Sequence, residues 1–318
     1  MGYTAGDKIL DDEYNTFVSS SSDPFGYNHF AGTGSTVYGL GQAEIATVAA
    51  TDTIRASSWN ALFTGIDNIA NHVNASVTSS SVSAGDTIAI RSALITDLAT
   101  LATAVAAGSP SATALTTSSA LQTVTTGSEG WDSTATQEVS ATFANANKMR
   151  HFFNAGGKIR ITFGTSQAST SNKDQAYIDL GTALGNLDIA ALASTRSGSG
   201  ETLTTDGLAR GFHDLTDSYQ TIIKLTSDNS NYTSNNIEVF AKLNAAVGSA
   251  TVITVKVVAT DGASDTQFTA GNTSSIAADI KNTPKIVTTL FSIDPNTDQG
   301  LGTGHAPAST ATVSNTTS

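Results

Sequence analysis

The stretch His151-Phe152-Phe153-Asn154-Ala155-Gly156-Gly157-Lys158-Ile159-Arg160-Ile161-Thr162-Phe163 sets the reading of the fold. Asn154, Gly156 and Gly157 tolerate the positive φ of a tight turn, and residues suited to strands stand on both sides. After the turn, Ile159, Ile161 and Phe163 alternate with Arg160 and Thr162, so one strand face is apolar and the other polar. The segment predicts a half-buried β-hairpin turning at Asn154, Gly156 and Gly157. It is a structural feature and not an active site.

Downstream, Tyr219–Leu225, Asn236–Leu243, Val252–Ala259 and Ile286–Phe291 alternate or run apolar over strand length, with turn residues between them. With the pattern that begins at Val139, four to six strands predict an antiparallel β-sandwich over residues 136–295. Residues 176–192 are ambiguous between strand and a helical excursion, and 196–211 read as a Gly/Ser/Thr loop. Residues 296–318 read as a flexible tail.

Upstream, residues 111–135 are rich in Ser and Thr and predict a linker. The segment 46–110 predicts two helices. The first has Ser57 as N-cap, with Trp59, Leu62, Phe63, Ile66, Ile69 and Val73 on one face. The second carries Leu94, Leu98, Leu101 and Val105 and stops at Gly108-Ser109-Pro110. The two stripes suit either an antiparallel pair or contact with other protomers. Asp7-Lys8-Ile9 before Tyr14-Asn15 matches Asp52-Thr53-Ile54 before Trp59-Asn60 at identical spacing, with an echo at Asp86-Thr87-Ile88 that lacks the aromatic. This reads as a duplicated helix-entry motif. Residues 1–45 are glycine- and aromatic-rich and predict an extended docking arm. Its expected interface residues are Tyr3, Tyr14, Phe17, Phe25, Tyr27, Phe30 and Tyr38, joined by Trp59 and Phe63. The fold class is therefore α+β, with an extended arm and a helical segment preceding the sandwich.

Charged residues make up only 13% of the 318-residue chain, and the net charge is −12. A pI near 4.6 disfavours nucleic acid as a partner, because a basic face is the usual footprint. A polar but weakly charged surface suits packing against copies of the same chain. With no Cys, neither disulfides nor thiolate chemistry is available. Met1–Asp7 lacks the basic start and apolar core of a signal peptide, and no apolar run reaches the roughly 20 residues that span a bilayer.

The chain resembles structural proteins of tailed bacteriophages, many of them marine and cyanophage-like. The likeness is carried by the Phe152-Phe153-Asn154-Ala155-Gly156-Gly157 segment with Ile159-Arg160, by the turn Tyr232-Thr233-Ser234-Asn235, and by Ile237-Glu238-Val239-Phe240-Ala241-Lys242. It continues in Val255-Lys256-Val257-Val258-Ala259-Thr260-Asp261. Tyr38-Gly39-Leu40-Gly41-Gln42 is similar to a Gly-Tyr-Gly-Gln motif of those proteins, with Leu40 and Gly41 intervening. The resemblance spans residues 1–70 loosely and 143–295 more closely. It implies a virion subunit, assembled in the host cytoplasm, that forms homo-oligomers and contacts other virion proteins in a fibre, baseplate, neck or capsid decoration.

Chemistry is sparse. The five His residues show no metal-ligand spacing. The Asp294–Gly300 segment departs from a calcium loop at its Pro, its Gly and the closing position. Asp11-Asp12-Glu13 suits a helix N-terminus, and Asp214 with Asp217 suits a helix face or a capped turn. No nucleophile elbow is present, and no cofactor, membrane insertion or catalytic residue is expected. The alternative function is a phage adhesin that binds a receptor or host surface glycan through sandwich loops. Trp131, Tyr177, Tyr219 and Tyr232 are its candidate sugar platforms.

Overall fold

The alternation of apolar and polar side chains that marks Asn236–Leu243 becomes an alternation of buried and half-buried residues on a long strand, and the same holds for Val252–Thr260 beside it. The computed structural model describes residues 11–21, 24–31, 43–73, 75–83, 91–106, 115–118, 120–125, 131, 133–165, 172–230, 232–263, 286–295, 307–309 and 314–317. The chain forms two compact units: residues 1–116, 147–157 and 294–306, and residues 117–146, 158–293 and 307–318.

In chain order the elements are α1 (Asp11–Val18), α2 (Tyr27–Phe30), α3 (Ala56–Val73), α4 (Arg91–Ala106), β1 (Leu115–Thr117), β2 (Gln122–Thr125) and β3 (Thr134–Thr142). There follow α5 (Ala146–Asn154), β4 (Lys158–Thr165), α6 (Asn172–Leu184), β5 (Asn186–Ile189), β6 (Ser194–Arg196) and β7 (Thr202–Asp206). The last are β8 (Gln220–Thr226), β9 (Asn236–Leu243), β10 (Val252–Thr260), β11 (Ile286–Pro295), β12 (Ala308–Ser309) and β13 (Ser314–Thr317).

A six-stranded sheet runs β1-β11-β4-β5-β6 with β2 also on β11, and a seven-stranded sheet runs β12-β3-β10-β9-β8-β7 with β13 also on β3. Every strand from β2 onward pairs antiparallel. The fold class is thus α+β with a β-sandwich-like pair of antiparallel sheets. A fully buried glutamine joins the sheets: Gln137 of β3 donates through Nε2 to Ile286 O of β11 (3.1 Å) and accepts from Thr288 Oγ1 (2.7 Å). In an apolar interior those bonds offset the desolvation that burying an amide costs. On β4 the polar face is spent on a cross-strand pair, with Arg160 gripping Asp188 through Nε (2.6 Å) and Nη2 (2.8 Å).

The ambiguous 176–192 stretch resolves into α6 and β5. α6 packs on β4, β8 and β9, and a Cβ on Gly181 would stand 2.8 Å from Phe163 O, so glycine permits the close crossing. Contact with both sheets buries most of the helix circumference, which erases the one-sided apolar stripe that sequence periodicity detects.

Several expectations are corrected. The predicted hairpin is a helix followed by a strand: α5 replaces its first arm. Met149, Phe152 and Phe153 are fully buried, a spacing that shares one helical face, whereas adjacent residues on a strand point to opposite faces. Asn154 ends the helix, and Gly156 (φ +88°) makes the left-handed residue that closes it. The Gly156 N–H donates to Phe153 O (3.0 Å) and the Gly157 N–H to Phe152 O (2.8 Å), a Schellman cap. A Cβ on Gly157 would fall 2.5 Å from Phe152 O. The 111–135 linker contains β1 and β2, the 196–211 loop contains β7, and the 296–318 tail supplies β12 and β13 to the edge of β3. Ser57 lies in the first turn of α3, one residue inside the helix start, rather than at the cap.

Candidate functional site: a buried aromatic cluster and a half-exposed tyrosine

In the first unit, α1, α2 and α3 bring most of the expected interface aromatics together, but facing one another. Tyr14 meets Trp59 edge-on at 5.2 Å, Phe17 lies 6.2 Å from Trp59, and Phe63 stacks on Trp59 at 6.0 Å. Phe25 stacks on Phe30 at 5.7 Å. Tyr14, Phe17, Tyr27, Phe30, Trp59 and Phe63 are all buried among Leu62, Ile66, Leu94 and Leu98, with Phe25 packed against that core. The hydroxyls are also spent internally, Tyr14 on Ser58 O (3.3 Å) and Tyr27 on Ala43 O (3.2 Å). Burial pushes the Tyr14 phenol up, and that of Tyr27 to about 12. For the described aromatics of residues 1–45 the expected docking role gives way to the core of their own unit, which they complete. Tyr3 and Tyr38 lie outside the described residues. The physical reason is volume: α4 offers mainly leucine and alanine, and large rings fill what it leaves open.

The duplicated motif has a geometric counterpart. Asn15 of α1 donates to Val48 O (2.9 Å) and accepts from Val48 N (2.9 Å); Asn60 of α3 makes the same pair with Val82 (2.9 and 2.8 Å). Asn28 repeats it on Ile45 (2.8 and 2.9 Å). Each asparagine follows a buried aromatic, in Tyr14-Asn15, Tyr27-Asn28 and Trp59-Asn60. Val48 and Val82 stand four residues ahead of Asp52 and Asp86, so the helix of one copy latches the start of the next. Leu94 occupies the equivalent place in α4, where Asp97 instead accepts the Thr78 and Ser79 amides (3.0 and 2.7 Å).

In the second unit, three of the four candidate sugar platforms are buried: Trp131, Tyr177 and Tyr232. Tyr219 alone among them is half-exposed, just before β8 at the outer face of the seven-stranded sheet. Its ring lies 6.4 Å from that of Phe240, with Lys256 Nζ 4.0 Å and Lys242 Nζ 4.3 Å from its centroid. Partial burial raises the phenol pKa, and the nearby Glu138 carboxylate adds to the rise, so the phenol stays protonated at neutral pH. The register sets Glu138, Lys256, Phe240 and Thr221 in one row across β3, β10, β9 and β8. In the next row Lys224 pairs with Glu238 at 3.6 Å. At the sheet edge every residue of β7 is exposed, including Leu203 at 38%. Both ammonium groups lie over the Tyr219 ring, and Lys256 also lies over Phe240 (4.6 Å), so cations cover the aromatic surface of this face.

Carboxylates singled out by sequence serve local structure. Asp214 accepts the Gly211 amide (3.0 Å) and closes the turn Phe212–Asp214, while Asp11, Asp12 and Glu13 occupy the first turn of α1. Among the described residues, no three His, Asp or Glu side chains converge to hold a metal ion, and no helix is long and apolar enough to cross a membrane. Asp294 and Pro295 are the last residues of β11, and residues 296–300 of that segment lie outside the described residues. Comparison of the chain with family models, curated proteins and solved structures finds no match.

Proposed function

We propose that the protein is a non-enzymatic structural subunit of a tailed-phage virion, tail-associated as a fibre, baseplate or neck component, and that it assembles as a homo-oligomer with other virion proteins. One observation supports the reading: two of the segments that resemble phage proteins, the Tyr232–Asn235 turn and the end of the Val255–Asp261 strand, meet at one end of the seven-stranded sheet. Asn235, from the Tyr232–Asn235 turn, is fully buried and its Oδ1 accepts the Gly262 and Ala263 amides (3.0 and 3.1 Å) directly after Asp261. Motifs that depend on each other structurally are what a shared scaffold would preserve. Assembly contacts fall on surfaces other than the aromatic cluster, which its own unit consumes.

The test is twofold. Mass measurement of the intact full-length assembly is expected to give a closed oligomer, a trimer for a fibre or a hexamer for a ring. An antibody against the second unit is expected to label purified particles of the phage that encodes the chain. A monomer at all concentrations together with unlabelled particles would end the proposal.

Tyr219 supports a second reading, attachment to a host surface glycan. Lys242 and Lys256, held over the half-exposed Tyr219 ring, offer ammonium groups to a sugar that carries acidic substituents. Binding of the full chain to a glycan panel, lost in Tyr219→Ala, would favour it; equal binding by the variant would remove it.

A further inference from the structure

Lys173 and Asp261 form an ion pair in the interior of the second unit, with side chains only 5% and 3% exposed. Lys173 stands in the first turn of α6 and Asp261 immediately beyond β10, so the pair ties segments far apart in sequence. The groups around it are tied down by packing and hydrogen bonds. Tyr177, one turn further along α6, is fully buried, donates its hydroxyl to Thr260 O (2.8 Å) and has Trp131 edge-on at 5.3 Å. The Asp261 amide donates to Ser133 O (2.9 Å), and the next amide is held by Asn235. Both reacting groups are therefore held close together, with little freedom to part.

A dry environment penalises both charges of such a pair. The condensation requires the neutral amine and the neutral acid, which the transfer of one proton from Nζ to the carboxylate supplies. Those neutral forms are the ones that react: the amine has a free lone pair, and the acid can lose its hydroxyl as water. Fixed proximity supplies the orientation that a condensation otherwise lacks.

We propose that Lys173 and Asp261 condense to an intramolecular amide, a covalent cross-link between α6 and the end of β10. Lys173 Nζ attacks Asp261 Cγ and forms the C–N bond. The tetrahedral centre passes an amine proton to a hydroxyl oxygen, and the C–O bond breaks to release one water. No oxidant, metal or cofactor enters the balance. The inference is independent of the virion reading, since it concerns this pair alone.

Asp261 precedes Gly262, and an Asp-Gly pair can also lose water by closing a succinimide on its own backbone, so the experiment must separate the two products. The purified full-length chain, denatured, is expected to weigh one water less than its sequence. A protease digest is expected to contain a branched peptide joining Lys173 to Asp261. Lys173→Met and Asp261→Ala are expected to restore the full mass, and Asp261→Asn to lose ammonia in place of water. A wild-type chain of full mass would overturn the proposal. So would a deficit that persists in Lys173→Met and disappears with hydroxylamine, which identifies a succinimide.

Discussion

The two units hold themselves together by different means. In the first, extended segments are pinned one at a time by asparagine side chains reaching from helices, around a cluster of rings. In the second, backbone ladders do most of the pinning, and side chains such as Gln137 and Asn235 add single ties between segments. The contrast predicts unequal tolerance: a latch can be removed by one substitution, whereas a ladder spreads its hydrogen bonds along a strand.

The harshest way to break the comparison is to delete residues 1–45. That removes Tyr14, Phe17, Tyr27 and Phe30 from the first core, where each large truncation costs about 3–5 kcal/mol. Limited proteolysis with near-ultraviolet circular dichroism is expected to show the first unit lost and the second retained. Persistence of a folded first unit would return those aromatics to a docking role. Trp59→Ala, a single truncation at the centre of the same rings, is expected to destabilise that unit by about 3–5 kcal/mol in denaturant titration.

Asn60→Ala probes the latch itself. It strands the Val82 amide and carbonyl, at an expected cost of about 1–3 kcal/mol, with faster hydrogen exchange at Val82 and unchanged exchange in β9 and β10. Uniform loss of protection across both units would mean that they do not differ as described. Gly156→Ala places a Cβ at φ +88° and is expected to cost about 1–2 kcal/mol, read as a fall in the denaturant midpoint. No change there would argue for a different closure of α5.

The mildest test leaves neutral pH untouched. Tyr14 and Tyr27 in the first unit and Tyr177 and Tyr219 in the second all have raised phenol pKa values, chiefly from burial. A raised folded value gives stability that is fully present below the unfolded value of about 10 and is lost as pH climbs through the folded one. For Tyr27 the loss runs up to about 12. Absorbance of tyrosinate against pH is expected to lag the ordinary phenol curve until base unfolding begins. An ordinary titration with the fold intact would contradict the burial of these rings.

β9 and β10 were legible because each turns one face to a core for its whole length, and a period of two survives in the sequence; β8 keeps that period only beyond the bulge at Thr221–Ile223. α3 and α4 were legible for the same reason at helical period. α5 was not: His151-Phe152-Phe153 has strand-like local preference, and glycine at positive φ serves a hairpin turn and a helix cap equally well. Gln137 gave no signal, since a polar residue inside an alternating strand is recognisable as inward-facing only once its partners across the sandwich are known. The Asn15 and Asn60 latches had a trace in the repeated spacing, but not their purpose, because the valines they hold lie far along the chain.

Periodicity alone determined that there would be helices followed by antiparallel strands, since burial of one face is a local demand written into neighbouring residues. Which surface would satisfy the aromatics of residues 14–30 was decided only by tertiary structure. Hydrophobic burial has no direction, so a sequence can show that a ring must leave water without showing where it goes.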